Sequence, residues 1–202
     1  ISTHTYAGDD ERCDLDVEAG AAGVDPKTIG DLAISTDGLK VFFVRRSTNG
    51  ANPDMDRLYR YDLTTPYDIS TCFYVEDINP DTDALALGST AVGDRGDLTR
   101  NHVQGVEINP DGTKIFLTFN DASGTKDGLK EFTLSTPFDI TTMSLVKSAG
   151  ISLETASNDN PDAIFFGLDG KRVFVTDHFR LTVTQFTLTN PYDTSSFTND
   201  GE

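Results

Sequence analysis

Apolar and polar residues alternate with a period of two through most of residues 29–198, the pattern of strands that bury one face. In VQGVEINPDGTKIFLTF (103–119), Val106 and Ile108 alternate with polar partners before Asn-Pro-Asp-Gly interrupts. Ile115, Leu117 and Phe119 then resume the alternation. This reads as strand, turn, strand, with Asp-Gly supplying the positive φ angles of a tight hairpin. Residues 129–134 alternate again, Ser-Thr-Pro-Phe-Asp turns the chain, and residues 143–146 supply a fourth strand. Pro137 fixes φ in that turn, and Asp139 can accept hydrogen bonds from nearby backbone N–H groups. No stretch carries a helical period.

The same grammar occurs three times. IGDLAISTDGLKVFFV (29–44) is followed by LYRYDLTTPYDISTCFYV (58–75), and the segment at 103–119 by LKEFTLSTPFDITTMSLV (129–146). DAIFFGLDGKRVFVT (162–176) is followed by VTQFTLTNPYDTSSFT (183–198). Asp-Gly recurs at Asp37-Gly38, Asp111-Gly112 and Asp169-Gly170. Pro-aromatic-Asp recurs at Pro66-Tyr67-Asp68, Pro137-Phe138-Asp139 and Pro191-Tyr192-Asp193. Four short antiparallel strands per repeat make a propeller blade. The expected fold is therefore all-β: three β-propeller blades at 29–76, 103–147 and 162–202. A long inter-blade loop at 77–102 and another at 148–161 join them, after an N-terminal strand and acidic linker at 1–28. Ile1-Ser2-Thr3-His4-Thr5-Tyr6-Ala7 aligns with Ile69-Ser70-Thr71-Cys72-Phe73-Tyr74-Val75, so the chain opens on an orphan outer strand. Three blades leave open sheet edges, and oligomerisation or a longer chain would complete the ring.

INPDGTKIFLTF and LDGKRVFVT resemble the YVTN-type and TolB-like β-propeller repeats, in which a Pro-Asp-Gly turn precedes Lys, an apolar residue, an aromatic and Val. The TPYD and TPFD elements resemble the tails of similar repeats in secreted bacterial and archaeal surface proteins. The first repeat departs with Ser-Thr-Asp-Gly and the third with Gly-Leu-Asp-Gly. The resemblance implies the fold, while function stays open, because such propellers serve as enzymes, binding modules and surface-layer components alike.

Composition narrows the classes. The 202 residues carry 33 acidic and 16 basic side chains, a net charge of -17, which opposes binding to a phosphate backbone. No run of about 18 apolar residues could cross a membrane as a helix. The chain begins at Ile1 with no basic-then-apolar leader, as expected of a processed or trimmed product. Abundant Asp and Thr with little Lys suit an extracellular or cell-surface location. Cys13 and Cys72 allow one disulfide, pinning the N-terminal segment to the first blade, or two free thiols.

Calcium is the cofactor considered. Asp77, Asn79, Asp81 and Asp83 place oxygen side chains at alternate positions, as at the start of an EF-hand loop. Thr82 and Gly88 stand where Gly and Glu are required, so an EF-hand is rejected and a looser site is left. Asn52, Asp54 and Asp56, and Asn158, Asp159, Asn160 and Asp162, share that spacing; Asx-rich turns explain all three equally. Arg95-Gly96-Asp97 matches the integrin-binding tripeptide, a short motif that arises by chance. For catalysis there are three histidines, His4, His102 and His178, and the inner-strand carboxylates Asp31, Glu107 and Asp162. No nucleophile elbow, zinc-protease motif or P-loop accompanies them. Phe42, Phe43, Phe116, Phe119, Phe165, Phe166 and Phe174 are expected between the blades. The function expected is that of a non-enzymatic surface propeller mediating self-association, into a homo-oligomer or filament, with Ser2, Thr3, His4, Thr5 and Tyr6 pairing with a neighbouring copy. The alternatives are a propeller-type metal-dependent hydrolase or lactonase and a carbohydrate-binding lectin or adhesin.

Overall fold

The period-two segments are strands throughout the computed structural model, which describes residues 12–13, 28–46, 57–78, 101–121, 128–146, 151–152 and 161–199. Blade 1 is an antiparallel sheet of β1 (Thr28–Ile34), β2 (Lys40–Arg46), β3 (Arg57–Leu63) and β4 (Cys72–Ile78). Blade 2 comprises β5 (Asn101–Ile108), β6 (Lys114–Asp121), β7 (Gly128–Leu134) and β8 (Met143–Leu145). A two-residue strand, β9 (Ile151–Ser152), pairs with β7 inside the segment expected to be a loop. Blade 3 comprises β10 (Pro161–Phe166), β11 (Arg172–Asp177), β12 (Thr182–Leu188) and β13 (Phe197–Asn199). The protein is thus all-β, built of four-stranded blades in sequential order. Three single turns of 3-10 helix, Ile69–Thr71, Ile140–Thr142 and Thr194–Ser196, lead into the outer strands.

The hairpin turns differ from expectation in one respect. Only the glycine takes a positive φ, +70° at Gly38 and Gly112 and +67° at Gly170, while the preceding aspartates do not. Gly38 N–H donates to Ser35 O at 2.8 Å and Ser35 N–H to Lys40 O at 2.9 Å. Ser35 and Lys40 thus close a four-residue loop built around a type I turn with a left-handed glycine, rather than a two-residue primed turn. Asp37 and Asp111 accept hydrogen bonds from Leu39 N–H and Thr113 N–H, and from the hydroxyls of Ser35 and Thr113. Those hydroxyl bonds hold both carboxyls below the usual range.

The two sequence landmarks of each repeat meet in space. Tyr67, Phe138 and Tyr192 N–H donate to Gly38, Gly112 and Gly170 O, each at 2.8 Å. Each aromatic ring lies flat over its glycine, where a Cβ would sit 2.2–2.5 Å from the nearest ring atom. The aromatics pay for this contact with positive φ values of 59°, 64° and 53°. Asp68, Asp139 and Asp193 cap the 3-10 turns by accepting from Ser70, Thr141 and Ser195 N–H.

Alternation along β2, β6 and β11 gives each sheet two faces, and blade 2 lies between blades 1 and 3. Phe42, Val44 and Leu58 of blade 1 pack against Ile115, Leu117, Phe132 and Leu134 of blade 2. Phe116 and Leu129 on the opposite face of blade 2 pack against Ile164, Val173, Val175 and Phe186 of blade 3. Phe116 and Phe166 have ring centroids 4.4 Å apart. On the far side of blade 1, Phe43, Tyr59 and Tyr61 form a third cluster, joined by Cys13 and Cys72. Those cysteines are disulfide-bonded, with Cα atoms 5.8 Å apart.

Candidate functional site

The inner strands β1, β5 and β10 converge at Asp31. One of its carboxylate oxygens accepts from Val106 N–H at 3.3 Å and Ile164 N–H at 3.5 Å, so a single side chain ties all three blades. The close approach depends on glycine: a Cβ on Gly30 would lie 2.3 Å from Gln104 O, and one on Gly105 the same distance from Asp162 O. Burial pushes the Asp31 carboxyl upward against the N–H groups it accepts from. Glu107, beside it on β5, is pushed up to about 7, first by burial and further by the Asp31 charge. Asp162 meets His178 at 2.7 Å between Oδ2 and Nδ1, half-exposed at the end of blade 3. Of the inner-strand carboxylates, Asp31 and Glu107 thus interact, and Asp162 pairs instead with the histidine. The described residues around Asp162 and His178 offer no hydroxyl or thiol nucleophile hydrogen-bonded to that histidine.

A second constellation recurs at both blade junctions. In blade 1, Arg60 donates to Phe138 O at 3.1 Å, and Glu76 accepts from Ile140 N–H at 3.0 Å. Arg60 is also paired with Asp62 and Glu76. In blade 2, Lys114 donates to Tyr192 O at 2.7 Å, and Glu131 accepts from both the N–H and the hydroxyl of Thr194 at 2.9 Å. Lys114 and Glu131 are 2.6 Å apart, with Glu131 buried. In each case a cation takes the carbonyl of the turn aromatic of the next blade, and a carboxylate takes the N–H two residues on. The aromatic then rests near a phenylalanine: Phe138 by Phe42 at 6.5 Å, Tyr192 by Phe116 at 6.4 Å. Blades are therefore coupled by polar capture of the Pro-aromatic-Asp turn as well as by apolar packing.

The coupler is open at both ends of the array. On blade 3, Arg172, Phe174, Val183 and Gln185 occupy the repeat positions of Lys114, Phe116, Leu129 and Glu131. Among the described residues no further blade covers them: Phe165 on the same face is 57% exposed and Val183 66%. Phe165 and Phe174 thus stand on an open face, and Phe43 on the far side of blade 1, rather than between blades as expected. On blade 1, the turn at Tyr67 to Ile69 has no preceding blade to capture it among the described residues, and Tyr67 is exposed. Sequence reasoning missed this set. For blades 2 and 3 its visible trace is a basic residue two positions after the turn glycine, at Lys114 and Arg172; Lys40 holds that position in blade 1, where Arg60 makes the capture instead.

Asp77 of the proposed calcium loop lies at the end of β4, where it accepts from the Tyr74 hydroxyl at 2.7 Å and faces Arg57 at 3.4 Å. Asn79, Asp81 and Asp83 lie outside the described residues, as do the Asn52 to Asp56 and Asn158 to Asn160 sets, the Arg95-Gly96-Asp97 tripeptide and Ser2, Thr3, His4, Thr5 and Tyr6. Among the described residues, no three His, Cys, Asp or Glu side chains converge as a metal-binding group.

No protein-family model matches the chain, and no curated protein matches it. Among solved structures it is similar to a Bacteroides uniformis protein provisionally assigned as a 6-phosphogluconolactonase, at 12% identity and TM-score 0.41, over 86% of this chain and 54% of that one. It is also similar to the β-propeller domain of Cps50 (Swd1) from Myceliophteria thermophila, at 11% identity and TM-score 0.39, over 81% of this chain and 53% of that one. The chain spans about half the length of each.

Proposed function

We propose that this protein is a non-enzymatic propeller module that works by self-association, docking the exposed face of blade 3 onto a blade of the same repeat in another copy. The observation that carries this reading is the coupler. Its two occupied instances, Arg60 with Glu76 and Lys114 with Glu131, each hold a Pro-aromatic-Asp turn. The third instance, Arg172 with Gln185, stands on the exposed face with Phe174 beneath it. A lone basic or aromatic residue on a surface is ordinary. The cation, the hydrogen-bonding side chain and the aromatic of blade 3 stand at the same three repeat positions as Lys114, Glu131 and Phe116 of blade 2, and so form a matching set. The Cys13–Cys72 bond supports an extracellular or cell-surface location, because such bonds persist in oxidising compartments.

Sedimentation velocity over a concentration series tests the proposal. The parent chain is expected to gain mass with concentration. Arg172→Glu, which reverses the charge offered to the turn carbonyl, should weaken association about tenfold or more. A parent chain that stays at 21.9 kDa into the high micromolar range overturns the reading.

A further inference from the structure

The structure carries a cavity of about 270 Å³ on the far side of blade 1, lined by Leu32, Val41, Phe43, Tyr61 and other apolar residues, with Arg12 and Cys13 also on its wall. The lining is almost wholly apolar, and the disulfide-bonded Cys13 packs against Phe43 and Tyr61. Leu32 at its inner end is 56% exposed. A cavity of this size lined by apolar side chains is large enough for an aromatic ring, since one about half as large holds benzene.

The repeat says what belongs there. Leu32, Val41, Phe43 and Tyr61 occupy the positions of Ile164, Val173, Val175 and Phe186 in blade 3. Those four residues form the surface on which Phe116 and Leu129 of blade 2 are seated. Blade 1 therefore presents the corresponding socket, and among the described residues no preceding blade fills it, although Val41, Phe43 and Tyr61 are themselves buried. The residues at the Phe116 and Leu129 positions of blade 3 are Phe174 and Val183, on the face that no described blade covers.

We infer that this cavity is the receptor for Phe174 and Val183 of a second copy of the chain, giving a head-to-tail contact of blade 3 on blade 1. The inference rests on the self-association reading and names its partner surface. Polar groups match as well. The Tyr67 carbonyl and the Ile69 N–H of the receiving copy correspond to the groups that Lys114 and Glu131 capture in blade 3, and Arg172 and Gln185 of the donor hold the repeat positions of that pair. Such a contact is heterologous, so repetition closes a ring or extends a filament according to the rotation between copies. Leu32, the exposed residue of the socket, marks the place of entry.

The test uses the intact, oxidised chain. Benzoylphenylalanine replaces Phe174, and the protein is irradiated as a mixture with isotope-labelled parent chain. The expected product is a mixed-isotope peptide joining position 174 to residues 28–46 or 57–78. In parallel, Leu32→Asp places a charge at the exposed socket mouth, and should weaken association about tenfold with the melting temperature unchanged. Cross-links confined to one chain or directed elsewhere, with Leu32→Asp associating like the parent, overturn the socket. If Arg172→Glu still weakens association in that case, blade 3 docks on a different surface and the self-association reading stands. If neither variant has an effect, both readings fall.

Discussion

Lys114, Phe116, Leu129 and Glu131 of blade 2 and Arg172, Phe174, Val183 and Gln185 of blade 3 fill the same places in the repeat. The first set is covered by a following blade, and the second is not. Where the face is covered, the polar pair is an acid and a base in contact, with the carboxylate buried and both of its outer hydrogen bonds made. Where it is open, the acid is replaced by a neutral amide. A buried carboxylate is stable only with a partner to compensate it, whereas an amide keeps the hydrogen-bonding capacity without stranding a charge when the face is bare. Between blades 2 and 3 the residue at this repeat position thus differs with whether the face is covered among the described residues.

The largest effect should come from the other end. Replacing Cys13 and Cys72 by serine removes a bond that closes a loop across a sequence separation of 59. The chain-entropy model puts the loss at about 4 kcal/mol. Chemical denaturation should show that fall in stability, together with increased binding of an apolar dye as Phe43 and Tyr61 lose their cover. An unchanged unfolding midpoint would show that blade 1 holds its far face without the bond.

Next in size is the coupler itself. Glu131→Ala leaves Lys114 without its acid and Thr194 without its acceptor, and should cost about 3 kcal/mol. The matching change at the open end, Gln185→Ala, should stay within about 0.5 kcal/mol for the dilute chain, as surface changes do. Equal costs at the two positions would break the comparison between covered and open faces.

The sequence made the blades legible because a half-buried strand imposes its period directly on its residues. Both landmarks, Asp-Gly and Pro-aromatic-Asp, were legible as recurrences, but their contact was not. Gly112 and Phe138 lie far apart along the chain, and nothing local to either says that a ring will cover the glycine. The aspartates of the hairpins were expected to share the positive φ. The longer turn reserves it for glycine, because the aspartate side chain is engaged in capping the next backbone N–H. The coupler was not legible as a recurrence. Its base comes from β3 in blade 1 (Arg60) and from β6 in blade 2 (Lys114), and its acid from β4 (Glu76) and β7 (Glu131), so no single offset reveals either. Phe165 misled for a physical reason: alternation gives the face of a strand, and only the blade count says whether that face is covered.

The smallest predicted effect again compares one repeat position in two blades. Glu107 on the middle inner strand corresponds to Phe165 on the end strand. Flanked by β1 and β10, Glu107 is buried enough to stand at about 7, against an ordinary value of 4.5. Between those values the folded chain keeps a proton that the unfolded chain has released, so this group makes stability fall as pH rises. The full shift would correspond to about 3 kcal/mol, and partial exposure of the side chain lowers the expected loss to about 1–2 kcal/mol between pH 5 and 8. Asp31, also raised by burial, adds in the same direction. Asp37, Asp111 and Asp193, lowered by their hydroxyl partners, act oppositely, but their effect comes at more acid pH, below this window. Denaturation of Glu107→Gln should therefore show a flatter profile from pH 5 to 8, with the variant gaining on the parent as pH rises. Phe165→Glu puts a carboxylate at the same repeat position on the open face, where water reaches it, and should leave the parent's slope unchanged. A steeper slope for Phe165→Glu would mean that the end face is already covered in solution, as docking of a second copy requires.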